Sequence, residues 1–128
     1  MENNKIYTYK AYVKDVYDGD TITVDIFLGF NVTMTDIKIR LIGIDTPEVR
    51  TKRLREKILD KKILLHTSKR GKFGRWLGII WEIKQDKPDF ENSYNKQLIN
   101  EGLAKEYWGG KRWNLNLKTH IKIFLIKN

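Results

Sequence analysis

The chain has 128 residues, 41% of them hydrophobic, which suits one core and leaves little room for a second. The expectation is therefore a single domain over residues 1–128, with its core at about 7–110 and a C-terminal extension at 111–128. With no cysteine, disulfides and zinc–thiolate sites are excluded, and no apolar run reaches signal-peptide or membrane-span length, so a soluble, cytoplasmic monomer with no membrane partner is expected. Lysine and arginine number 25 against 16 acids, a net charge of +9 and a pI near 9.7. The distribution is uneven. Residues 1–49 hold 5 basic and 8 acidic side chains, whereas residues 50–75 hold 11 basic and 2 acidic. An acidic first third beside a dense basic stretch suits a cation pocket next to a polyanion-binding face, although lysine-rich stretches are as often plain solvated surface.

Taken in chain order, Tyr7 to Tyr17 reads as a strand carrying Tyr7, Tyr9, Ala11 and Val13, with a bulge before Val16. Asp18-Gly19 is a turn. Thr21 to Ile26 alternates and places Ile22, Val24 and Ile26 on one face, Gly29 and Asn31 mark the next turn, and Asp36 to Leu41 alternates again with Ile37, Ile39 and Leu41 inward. Arg40 then lies on the face opposite Ile39 and Leu41. Gly43 to Glu48 breaks the pattern and predicts a loop, since Pro47 cannot donate to a ladder. Lys52 to Asp60 predicts a short basic helix with Leu54 and Ile58 one turn apart. Lys61 to His66 predicts a fourth strand, Ser68 to Arg75 a basic turn, Trp76 to Ile83 a fifth strand, and Tyr94 to Glu101 a helix capped by Ser93 and stopped by Gly102. The tail from Thr119 alternates through Ile121, Ile123 and Leu125. Five short strands with a helix between the third and fourth, and a second helix after the fifth, is the order of an OB-type barrel, a mainly β fold with some α. Barrels of this kind often bind nucleic acid on one face, but fold alone does not give function.

Chemistry is concentrated in two places. Tyr17-Asp18-Gly19-Asp20-Thr21 brings two carboxylates to the first turn, and Ile44-Asp45-Thr46-Pro47-Glu48 brings two more to the predicted loop. All-oxygen ligands without cysteine or motif histidine suit Ca²⁺ or Mg²⁺ over zinc. An EF-hand is excluded because Ile22 stands two residues beyond Asp20. Taken singly, Asp18-Gly19 is an ordinary hairpin turn and Asp45-Thr46 an ordinary turn cap. Their joint occurrence at the ends of neighbouring strands, with Arg40 between them, is less ordinary. His66 and His120 stand outside every motif and read as structural or surface residues.

Four blocks in order, Asp18-Gly19-Asp20-Thr21, Ile39-Arg40-Leu41-Ile42-Gly43-Ile44-Asp45-Thr46-Pro47-Glu48, Lys72-Phe73-Gly74-Arg75-Trp76-Leu77 and Asn100-Glu101-Gly102-Leu103-Ala104, resemble the staphylococcal nuclease (thermonuclease) family between about Tyr9 and Gly110. The resemblance implies an OB-fold, calcium-dependent endonuclease that cleaves DNA and RNA to leave 3′-phosphates. It implies Ca²⁺ on Asp20, Asp45 and the Thr46 carbonyl, with Asp18 behind them. Glu48 would be general base for the attacking water, and Arg40 and Arg75 the phosphate clamp. Lys72 and Phe73 would contact nucleic acid, and Tyr107 or Trp108 would stack on a base, a place in the core suiting the tryptophan equally well. Such roles agree with the chemistry: phosphodiester hydrolysis builds negative charge that guanidinium forks and a divalent cation answer, while a carboxylate takes the proton of water. Departures from the family pattern are the short stretch between Glu48 and the fourth strand, Phe73 where tyrosine is common, and the Tyr107-Trp108-Gly109-Gly110 arrangement. The alternative is a non-catalytic OB-fold nucleic-acid-binding module that binds single strands through its basic face.

Overall fold

A computed structural model describes residues 7–71 and 74–108. β1 (Thr8–Asp18), β2 (Thr21–Gly29) and β3 (Val32–Leu41) form the expected meander. After the short β4 (Gly43–Asp45) and helix α1 (Thr51–Ile58), β5 (Lys62–Arg70) and β6 (Trp76–Glu82) close the sheet into a five-stranded barrel of order β1-β2-β3-β6-β5. Every neighbouring pair is antiparallel except β3 and β6, which run parallel over Ile39–Leu41 and Trp76–Gly78. The expected OB-type barrel, mainly β with two helices, is the fold observed.

Alternation explains the interior. Ala11, Val13, Val16, Ile22, Val24, Ile39, Leu41, Ile63, Leu65 and Ile80 are all fully buried. The change from odd to even positions after Val13 needs one extra residue, and the β1–β2 register shifts there, between Val13 and Asp15. Leu54 and Ile58, on one face of α1, join this core. The helix stops at Ile58, two residues short of expectation. Leu59 turns extended, with ψ 136°, and Asp60 takes φ 60° while accepting the Tyr12 hydroxyl at 3.0 Å.

Two segments change type as well as bounds. Gly43–Asp45, expected as loop, is a strand, paired antiparallel with β7 (Lys105–Tyr107). Three residues are too few to show a period, and their partner lies far along the chain, so only tertiary pairing makes them a strand. Ser68–Arg75, expected as one turn, is shortened by β5: the ladder runs on through Lys69 opposite Leu77 and Arg70 opposite Trp76, leaving Gly71 to donate to the Arg75 carbonyl at 2.7 Å. The second helix, α2 (Tyr94–Asn100), begins as expected with Ser93 accepting the Lys96 N–H at 3.0 Å, and Gly102 follows with φ 75°. The tail beyond Trp108 lies outside the described residues.

One buried side chain ties α2 to the strands that carry the candidate site. Beyond Gly78, β6 has no β3 partner. There Asn95, fully buried, accepts the Ile80 N–H at 3.1 Å and donates to the carbonyls of Ile42 and Gly78 at 2.9 and 3.2 Å. Its amide substitutes for the missing strand and satisfies backbone groups that would otherwise be buried without partners.

Candidate active site

The β1–β2 hairpin closes with Asp18 opposite Thr21, so Gly19 and Asp20 form the turn. Asp18 accepts the Asp20 N–H at 3.0 Å, an arrangement that short acidic side chains adopt readily. Glycine is required at position 19 by the approach of the segment after β4. A Cβ there would stand 2.3 Å from Thr46 Cγ2. That approach brings Thr46, Pro47 and Glu48 beside the two aspartates. The result is a cavity of about 410 Å³ lined by Tyr17, Asp18, Asp20, Thr46 and Glu48.

Asp20 is its most buried acid. Its carboxylate lies 3.4 Å from the Thr21 hydroxyl, 3.4 Å from the Thr46 N–H and 3.4 Å from Nη2 of Arg40. Burial pushes its pKa up to about 6, helped by the hydrogen bond with Asp18 and only partly opposed by Arg40. Burial acts on Asp18 in the same sense, but hydrogen bonds from the Asp20 side chain and from the backbone N–H groups of Asp20 and Thr21 outweigh it and hold Asp18 below its ordinary value. The pair therefore carries one shared proton over part of the acid range, and it is held mainly on Asp20.

The two arginines flank this dipeptide. Arg40 faces Thr21 across the β2–β3 ladder. It is not extended into solvent as its strand position suggested. Its guanidinium folds back to donate to the carbonyls of Leu41 and Ile44, the latter at 3.0 Å, and to reach Asp20. Arg75, just before β6, donates through Nη1 to the Thr21 hydroxyl at 3.2 Å. Glu48 opens a single 3₁₀ turn, Glu48–Arg50, after Pro47, and the Thr51 hydroxyl holds its carbonyl at 2.7 Å. Thus Asp20, Thr46, Glu48, Arg40 and Arg75 gather within one corner of the barrel, although they come from four separate stretches of chain.

Other candidates are placed differently. Asp45 is exposed, stands opposite Lys105 in the β4–β7 pair and does not line the cavity. Trp108 is 4% exposed, packs on Phe90 with ring centroids 5.1 Å apart and donates Nε1–H to Glu106, so it is a core residue with no face to offer a base. Tyr107 is 48% exposed but lies outside the cavity lining. Lys72 and Phe73 lie outside the described residues. Tyr17, which motif reasoning passed over, lines the cavity and is 72% exposed. Its signal was an aromatic side chain directly preceding the Asp18-Gly19 turn.

For a hard cation the donor chemistry fits in part. Asp18 and Asp20 supply two adjacent carboxylates whose mutual repulsion a cation would relieve, and Thr46 Oγ1 is buried with no hydrogen-bond partner among the described residues. No group of three or more acidic or histidine side chains among the described residues forms a ready-made metal cluster.

A family model for staphylococcal nuclease homologues matches residues 38–122, a span that contains Arg40, Asp45, Glu48 and Arg75. The chain belongs to that family. Among solved structures it is similar to the extended Tudor domain of Drosophila melanogaster Tudor-SN, at 19% identity over 92% of this chain and 63% of that one, with a TM-score of 0.47. It is also similar to extended Tudor domain TD3 from mouse TDRD1, at 13% identity over 77% and 60% of the two chains and a TM-score of 0.45. The chain thus spans less than two thirds of either structure. No curated protein matches it. No helix among the described residues is long and apolar enough to cross a membrane.

Proposed function

We propose that this family member hydrolyses phosphodiester bonds of DNA or RNA at the Asp18–Glu48 cavity, with calcium. The observation that supports this most is the convergence of two guanidinium groups on Asp20-Thr21, beside a cavity that also holds Glu48. Neutral pairs would serve for structure alone. Two arginines at a half-buried acidic turn suit an anion whose charge grows during reaction. In this reading Arg40 and Arg75 hold the phosphoryl oxygens and Glu48 takes the proton of the attacking water. Asp20 and Thr46, with Asp18 beside them, would hold the cation, which when bound supplies positive charge to the phosphoryl oxygens; Asp45, outside the cavity lining, is left out of this ligand set. The basic surface that would attract the strand includes the exposed Lys52, Lys61, Lys62 and Arg70. Arg53 and Lys57 are already paired with Glu101, at 3.6 and 2.7 Å.

A second reading has its own observation. Arg40 is engaged with two backbone carbonyls of its own chain and Asp45 faces solvent, which suits a barrel that binds nucleic acid without cutting it. Digestion of plasmid DNA and of RNA, with calcium and with excess chelator, decides between them. Calcium-dependent cleavage is the expected result. Salt-sensitive binding with no cleavage in calcium establishes the second reading instead.

A further inference from the structure

Tyr17 is placed by a second irregularity in β1. The β1–β2 ladder steps from Val16 opposite Ile22 to Asp18 opposite Thr21, so Tyr17 is an extra residue with no partner on β2. A bulge of this kind bends the strand and re-aims the side chain it carries. Here it turns a large aromatic ring outward, 72% exposed, on the wall that also holds Asp18, Asp20 and Glu48. The bulge is braced from below. Arg55 of α1 donates to the Val16 carbonyl at 2.6 Å, next to the unpaired residue. The brace fixes the backbone of the bulge, and with it the point on the cavity wall from which the ring projects.

We infer that Tyr17 is a base-stacking platform, which selects nucleic acid whose base beside the bound phosphate is free of its own stack, that is, a single strand. The inference rests on the proposed binding of nucleic acid at this cavity. A phosphodiester seated by Glu48 leaves its neighbouring base beside the wall that Tyr17 occupies, and an exposed aromatic face gains most from a base with no stacking partner of its own. In a duplex both faces of the base are covered, so Tyr17 has nothing to receive.

The test is fluorescence anisotropy with the full chain carrying Glu48→Gln to slow cutting, in calcium. Three probes of equal length are compared: a single-stranded DNA, the same strand with every base removed, and the duplex. Adding Tyr17→Ala should weaken the single strand by roughly five- to a hundred-fold, the range that loss of one aromatic–base stack gives. It should leave the abasic strand and the duplex within about two-fold, and Tyr17→Phe should retain the parent affinity. Unchanged single-strand affinity in Tyr17→Ala overturns the inference while leaving nucleic-acid binding intact, and so does an equal loss on the abasic strand. Failure of the parent to bind any probe removes the functional reading, and this inference with it.

Discussion

Replacing Asn95 with alanine tests whether one buried amide holds the frame of the candidate site. The change removes three hydrogen bonds. The Gly78 carbonyl keeps the Ile42 N–H at 3.0 Å, so two groups lose the partner Asn95 gave them: the Ile80 N–H and the Ile42 carbonyl. A buried backbone group deprived of its partner costs about 1–3 kcal/mol, so the two together give an expected loss of about 2–6 kcal/mol. For a domain of this length each kcal/mol lowers Tm by roughly 3–5 °C, so the variant should melt roughly 6–30 °C below the parent. Urea unfolding followed by tryptophan fluorescence reads the loss directly, with calorimetry for Tm. Asn95→Asp is the companion. It keeps the shape and the acceptor for Ile80, but donates to Ile42 only when protonated, so its deficit should be larger at pH 7 than at pH 4. An Asn95→Ala variant within about 0.5 kcal/mol of the parent, with unchanged urea dependence, would refute the argument, because that is the size of an ordinary surface change.

Glu48→Gln keeps size and hydrogen bonding but loses the base; single-turnover cleavage should fall about a hundred- to ten-thousand-fold while the dissociation constant hardly moves, and an unchanged rate removes Glu48 from the mechanism. Asp20 has a folded pKa of about 6, above its ordinary 3.8. Protonation therefore favours the native state: this contribution is complete at pH values below 4 and is lost as pH rises through 6. In chelator, Asp20→Asn should accordingly raise Tm at pH 7.5 and do little at pH 3.5; an equal effect at both would show that Asp20 does not titrate as its burial demands. Binding to single strands should weaken with salt, with a log–log slope of about −3 if four exposed cations meet phosphates, and a flat salt series would assign the basic stretch to plain surface.

The first three barrel strands and α1 were legible because each carries a local period, whereas β6, buried in a row from Gly78 to Trp81, was legible only as an apolar run. Ile22, Val24 and Ile26 alternate, Leu54 and Ile58 recur one turn apart, and each pattern matches a face that only one arrangement can bury. The bulge before Val16 was legible for the same reason, since a phase change in the apolar row demands an extra residue. The acids, the arginines and Glu48 were legible as motif residues, and composition alone pointed to a basic chain without disulfides. What composition and period do not contain is partnership between distant segments. Gly43–Asp45 became a strand only because Lys105–Tyr107 came alongside, and Trp108 was drawn into the core by Phe90 and the close approach at Gly43. Arg40 folded back because the turn after β3 placed the carbonyls of Leu41 and Ile44 within its reach. Tyr17 gained its place on the cavity from the register of two strands and from Arg55 on a helix between later strands. A hydrogen bond or a ring contact depends on where two chain segments meet, and that meeting is set by barrel closure, which no single stretch of sequence encodes.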